Sequence, residues 1–391
     1  MRILFTFVGG LGHFEPLIPI ARAAADAGHT VAVAGRHSLV PAIEAAGFTA
    51  FATWPPSSSG APRRVPLQPV DLDASARELR DGFADKGARH RTPDILALCA
   101  AWQPDLVVCD EVDFGAMIAA ERLGLPYASV LVLAAGSFIG HALVGEPLDR
   151  VRAEHGLPPD PDLTMLSRYL VLSPFPPSYR DPAFPQPATA HAMRPLSAAP
   201  AAKSAPPPWL ATLDARPTVY FTLGTIFNTE CGDLFARVLA GLRSLPVNVV
   251  ATTGQDIDPA EFGPQPAHVH VERFIPQAAL LPHCDVCISH GGSGSVMGAL
   301  AHGLPMVLLP MGADQPLNGF RCQALGVARV LDVMTVTPDD IREAVTAVLE
   351  KPAYRQAAER QRDEIAALPG AAYAVGLLER LAAEKRAIVA G

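Results

Sequence analysis

Short apolar runs without polar interruption alternate with helix-patterned segments in two separate series along this chain of 391 residues. A strand apolar on both faces must be covered on both faces. That demands a parallel sheet with helices above and below it. In the first series Ile3 to Val8 reads as a strand and Phe14 to Ala27 as a helix ended by Gly28. Thr30 to Ala34 is the next strand and Leu39 to Ala46 a helix ended by Gly47. Leu106 to Cys109, a helix from about Phe114 to Leu123, and a strand from Tyr127 to Leu133 continue the pattern. The second series places strands at Thr218 to Leu223, Val247 to Ala251, His268 to Val271, Val286 to Ser289 and Met306 to Leu309. Its helices are expected from about Asp233 to Leu242, and at Ser295 to Ala301, Asp339 to Leu349 and Pro352 to Ala367.

The fold class is therefore α/β, with two doubly wound, Rossmann-like domains. A chain this long is expected to form two domains. We expect a first domain over residues 1–205, a linker over 206–215 and a second domain from 216 to 371. The stretch Pro174 to Pro208 is rich in Pro and Ala and lacks periodicity, as a linker does. Pro55 to Pro69 interrupts the first series with Pro, Ser and Gly, and reads as a mobile insertion at the mouth of a cleft. Ligands in doubly wound sheets bind beyond the carboxyl ends of the strands, so two such units facing each other would hold a ligand between them.

Composition narrows the function. A net charge of −8, with no basic patch carrying interleaved aromatics, argues against a nucleic-acid partner. No apolar segment approaches membrane-spanning length, and Ile3 to Val8 is too short for a signal sequence, so a cytoplasmic location is expected. The six cysteines make no disulfide framework, and Cys284-x-x-Cys287 has no second pair at metal-ligand spacing. No metal site is expected.

Three places carry chemistry. His13 projects from the glycine turn Gly9-Gly10-Leu11-Gly12 at the start of a helix, a position suited to a neutral imidazole acting as general base. The same turn lacks the third glycine and the acidic residue of a dinucleotide fingerprint. Asp110 stands at the end of a strand, where it could orient His13 or cap the next helix; Glu111 and Asp113 are alternatives. The third place runs from Arg273 to Asn318. There a strand enters His290-Gly291-Gly292-Ser293-Gly294-Ser295 and then a helix, which presents backbone N–H groups to a phosphate. His290 could donate to a phosphate oxygen. Phe274 or Ile275 could lie beside a base, and Asp314 and Gln315 could grasp sugar hydroxyls.

These residues carry a resemblance to the family 1 nucleotide-sugar glycosyltransferases of GT-B fold, especially their bacterial antibiotic and macrolide branch. GLGHFEPLIPIARAAADAGHTVAVAG resembles that family's acceptor-domain start, TVYFTLGT the first strand and turn of its donor domain, and Arg273 to Asn318 its donor signature. The resemblance implies that His13 is the catalytic base and Asp110 its partner. It implies a donor site made of Gly224, Thr225, Phe274, Ile275, His290, Gly292, Ser293, Gly294, Ser295, Asp314 and Gln315. It also implies a last segment, roughly 372–391, that crosses back onto the acceptor domain. The partners implied are a nucleotide sugar and a hydrophobic natural-product acceptor, with inversion at the sugar and no cofactor or metal. Where many UDP-sugar members carry a glutamate, eight residues after the loop histidine, this chain has Gly298. That favours a TDP-sugar. The alternatives are UDP-sugar dependence, a non-hydrolysing nucleotide-sugar epimerase, a nicotinamide oxidoreductase and a non-catalytic sugar-binding protein.

Overall fold

A computed structural model describes residues 1–54, 64–195, 206–224 and 227–390. The chain divides into two compact units. The first contains the described residues of Met1–Ser58, Asp73–Ala198 and Ala367–Gly391. The second contains those of Ser59–Leu72 and Ala199–Ala366.

The first unit is built on seven parallel strands: β1 (Arg2–Thr6), β2 (Thr30–Arg36), β3 (Thr49–Thr53), β4 (Leu106–Asp110), β5 (Tyr127–Val130), β6 (Leu170–Ser173) and β7 (Ala190–Ala192). Their order in the sheet is β3-β2-β1-β4-β5-β6-β7. Side chains alternate between two cores, as the pleat requires. Ile3, Phe5, Leu106 and Val108 enter one, and Leu4, Val107 and Cys109 the other. The last helix, Ala371–Glu384, presents Ala374, Val375, Leu378 and Leu381 to the first of these cores. Beyond it Ile388 N–H donates to the Tyr169 carbonyl at 2.7 Å.

The second unit has six parallel strands: β8 (Thr218–Thr222), β9 (Asn248–Thr252), β10 (Val269–Glu272), β11 (Val286–Ser289), β12 (Met306–Leu308) and β13 (Ala328–Val330). Their order is β10-β9-β8-β11-β12-β13. Val219, Phe221, Val249, Val286, Ile288 and Val307 meet the apolar stripes of the helices Leu234–Arg243 and Pro338–Glu350 on one face.

Several expectations need correction. The helix expected from Phe14 to Ala27 is two, Leu11–Phe14 and Ile18–Asp26. Pro16 separates them, since proline lacks an N–H and disfavours helix in the residue before it. His13 therefore sits in a single helical turn, with little dipole to act on it. The proline-rich stretch read as a linker contains β7, a short edge strand held by its neighbour β6. Of the expected insertion, residues 55–63 lie outside the described part. The rest is fastened to the second unit: Val65 N–H donates to the Thr229 carbonyl, and Arg64 forks onto Glu261 at 2.5 and 2.6 Å.

Among the described residues no single helix is long and apolar enough to cross a membrane. Pro352–Ala367 and Ala371–Glu384 would have to be taken together, and they are bent by 48°. All six cysteines are free and buried, and burial raises the Cys287 thiol to about 12.

Candidate active site

In each sheet the strand order reverses once. The reversal lies between β1 and β4 in the first unit and between β8 and β11 in the second. At such a point the two flanking connections leave on opposite faces and open a crevice at the strands' carboxyl ends.

The crevice of the first sheet holds the expected pair. His13 follows β1, and Asp110 is the last residue of β4. His13 Nδ1 lies 3.3 Å from Asp110 Oδ2, an ion-pair distance at an angle outside that of a well-formed hydrogen bond. The Asp110 side chain has no accessible surface. Oδ2 accepts Val8 N–H and Oδ1 accepts Val112 N–H, both at 2.8 Å. The turn beneath the base is equally constrained. Gly9 has φ +85, and a Cβ there would stand 2.7 Å from His13 Cδ2. On the imidazole, Phe83 lies nearly parallel at 6.2 Å.

The two alternatives to Asp110 have other work. Asp113, not Asp110, caps the helix Phe114–Leu123 by accepting Ala116 N–H. It also pairs with buried Arg91 at 3.0 Å. Arg91 in turn donates to Thr53 Oγ1 and to the Phe7 and Ala34 carbonyls, binding three strand ends together. Glu111 Oε1 accepts Val132 and Leu133 N–H at 2.5 and 2.6 Å. Burial outweighs those bonds and raises its carboxyl to about 7.

The crevice of the second sheet is made mostly of backbone. His290 follows β11, and Gly224 lies in the turn after β8. Gly224 has φ +75, and a Cβ there would come within 2.5 Å of His290 Cε1. A Cβ on Gly292 would come equally close to His290 Nε2. The imidazole is thus sandwiched where two side chains are missing. Although the residue keeps an accessible edge, Nδ1 is enclosed, and burial lowers the ring to about 4. His290 is neutral at physiological pH. The helix Ser293–Ala301 starts here at Gly292 with no side-chain cap, so its first turn presents N–H groups. Thr225 lies outside the described residues.

Asp314, which precedes the helix Gln315–Ala324, is tied into a hydrogen-bond network. Asp314 Oδ2 accepts the Ser293 hydroxyl at 2.7 Å and the Asn318 amide at 2.8 Å. Asn318 also donates to Ser293 Oγ and the Gly291 carbonyl, tying the glycine loop to the helix Gln315–Ala324. Sequence reading gave Asn318 no role; its signal was its place one helical turn after Asp314. The Gln315 carboxamide oxygen is committed to Met311 and Gly312 N–H, so only its NH2 group is left for a ligand. Phe274 is 59% exposed and so available as a platform, whereas the Ile275 side chain is 4% exposed and belongs to the core.

Residues 236–381 match the family described as erythromycin biosynthesis protein CIII-like, C-terminal domain. The chain is 31% identical to 4'-demethylrebeccamycin synthase of Lentzea aerocolonigenes, over 97% of this chain and 99% of that protein. It is 30% identical to 3-alpha-mycarosylerythronolide B desosaminyl transferase of Saccharopolyspora erythraea, over 99% of each. Among solved structures it is similar to the glycosyltransferase VinC in complex with dTDP, with a TM-score of 0.77, 27% identity, and 98% and 100% of the two chains covered. The chain belongs to the EryCIII-like family of GT-B glycosyltransferases from antibiotic pathways.

Proposed function

We propose that this enzyme moves a sugar from a thymidine diphosphate sugar onto a hydroxyl of a hydrophobic aglycone, inverting the anomeric carbon. The observation that carries the reading is the His13–Asp110 pair at the first switch point. His13 takes the acceptor hydroxyl proton as that oxygen attacks the anomeric carbon. The bond from that carbon to the diphosphate oxygen breaks, and the diphosphate leaves with the electron pair. Asp110, lying against Nδ1, favours the tautomer with its lone pair on Nε2 and stabilises the imidazolium that forms.

The leaving diphosphate accepts from the N–H groups at the start of Ser293–Ala301. His290, being neutral, assists as a hydrogen-bond donor and not as a cation. Asp314 meets sugar hydroxyls, oriented by Ser293 and Asn318. These groups carry the leaving charge, so the proposal includes no metal ion. Turnover that vanishes with a chelator and returns with Mg²⁺ would contradict that part.

Thymidine is favoured at position 298. A Cβ on Gly298 would already stand 3.1 Å from Gln277 Oε1 and 3.2 Å from Leu281 Cδ1. No carboxylate at 298 is present to hold a ribose 2′-hydroxyl. The dTDP complex among the similar structures supports the same donor class. Calorimetric titration of the purified chain should show tighter binding of TDP than of UDP. The reverse preference would overturn the donor assignment. A mass-spectrometric screen of TDP- and UDP-sugars against polyketide aglycones would identify the substrates.

A further inference from the structure

Three turns of the second unit are joined through one buried side chain. Asn228 lies in the short turn Phe227–Glu230, soon after Gly224, and is 3% exposed. Its Nδ2 donates to the Thr253 carbonyl, just past β9, at 3.1 Å. Gly254 has φ +83, and a Cβ there would overlap Asn228 Nδ2 and stand 3.6 Å from the Gly224 carbonyl oxygen. Gly254 N–H donates to the Arg273 carbonyl at 3.0 Å, and Arg273 Nη1 donates back to the Gln255 carbonyl at 2.9 Å. The residue after Arg273 is Phe274, the exposed ring. A single carboxamide thus links the turn after β8 to the turn after β9, and hydrogen bonds lead from there to the residue before the ring.

Asn228 is not placed there for its oxygen. Oδ1 is buried with no hydrogen-bond partner among the described residues, and a buried acceptor without a partner costs stability. An apolar side chain of similar size would avoid that cost but would take the donor away from Thr253. What the residue supplies is one directional N–H, at a spot where Gly254 leaves room for it. The same turn is held independently on another side, where Val65 N–H donates to the Thr229 carbonyl at 3.1 Å. Loss of the Asn228 side chain therefore shifts the turn without releasing it.

We propose that Asn228 is a positioning residue for the donor: through Thr253 and Gly254 it sets the distance between the turn that meets the diphosphate and the ring that meets the base. The proposal rests on the donor site assigned above. Base and diphosphate belong to one molecule of limited reach, so both ends bind together only when their two subsites are correctly spaced. A change in spacing weakens the whole nucleotide and spares its separate parts.

The test is calorimetry of the full chain with TDP, thymidine and inorganic diphosphate. Asn228→Ala should weaken TDP about tenfold, while thymidine and diphosphate each bind within about twofold of wild type. Asn228→Asp turns a carboxylate oxygen towards the Thr253 carbonyl and should weaken TDP at least as much at about pH 8. Burial favours the protonated acid, which regains an O–H donor. Relative to wild type at each pH, the Asp variant should therefore recover TDP affinity as pH falls towards about 5, and Asn228→Ala should not. Gly254→Ala should cost less in the Asn228→Ala background than in wild type, because the overlap is gone. Unchanged TDP affinity in Asn228→Ala, a loss for either fragment as large as that for TDP, or no recovery of the Asp variant at low pH would overturn the proposal. The donor reading fails separately: a wild-type chain that binds UDP and not TDP would refute that reading, and the same series with UDP and uridine would still decide the role of Asn228.

Discussion

At the switch point of the first sheet, His13 and Asp110 meet as side chains. At that of the second, Gly224 and Gly292 leave out their side chains so that His290 fits between them. The topology is the same, but the chemistry differs. Under the proposed mechanism the first crevice moves a proton, which needs a titratable group with a fixed orientation, and two backbone N–H groups hold its one carboxylate. Under the same mechanism the second crevice binds an anion, and it offers a helix start and a neutral histidine as donors. The fold supplies the place, and the residues at two strand ends decide what happens there.

Asp110→Asn should break the first crevice most severely. It removes the charge that steadies the imidazolium and favours the wrong tautomer, a change that costs about 10⁴-fold in turnover in a Ser-His-Asp triad. TDP affinity, measured by calorimetry, should stay at the wild-type level. An equal loss in TDP affinity would mean the two crevices are not functionally separate. Gly224→Ala attacks the second. It forces alanine to φ +75, at a cost of about 1–3 kcal/mol, and drives its Cβ onto His290. TDP should bind at least about tenfold more weakly. Unchanged TDP affinity would show that this turn is not part of the donor site.

The smallest effect is in pH dependence, where the two crevices should have opposite signs. The folded-state value of His290 lies at about 4, below its ordinary 6.5, so the unfolded chain binds more protons between those values. Its contribution to stability is present above 6.5 and is lost as pH falls towards 4. Glu111 is raised from 4.5 to about 7, so the folded chain binds more protons in that window. Its contribution is present below 4.5 and is lost as pH rises through 7. His290→Gln should therefore flatten the acid limb of a stability–pH profile, and Glu111→Gln should flatten the limb approaching 7. Identical profiles in both variants would contradict the burial assigned to these groups.

The two regions also differed in how well the sequence disclosed them. The second crevice was nearly complete on inspection, because His290 to Ser295 and Asp314 to Asn318 are close in the chain and their glycines announce a special backbone. The first had to be inferred from two strand ends far apart in sequence. The resemblance implied Asp110, and the structure adds what Glu111 and Asp113 do instead, which single residues do not reveal. Interior strands β1 and β4 were legible because both their faces are apolar, although the equally interior β6, only four residues long, was missed. The three-residue strand β7 and the alanine-rich β3 were missed too, since pairing with a neighbour decides such edge strands more than composition does. The strain at Trp54, whose φ is +73, and the π-helical turns of Glu78–Gly87 leave no local signature that periodicity could detect.

The central claim is that proton transfer belongs to the first crevice alone. Its most direct test measures kcat and TDP affinity together in His13→Ala, with an aliphatic hydroxyl acceptor. The account predicts that kcat falls roughly 10²-fold or more while TDP binds as in the wild type. Undiminished turnover in that variant would contradict it.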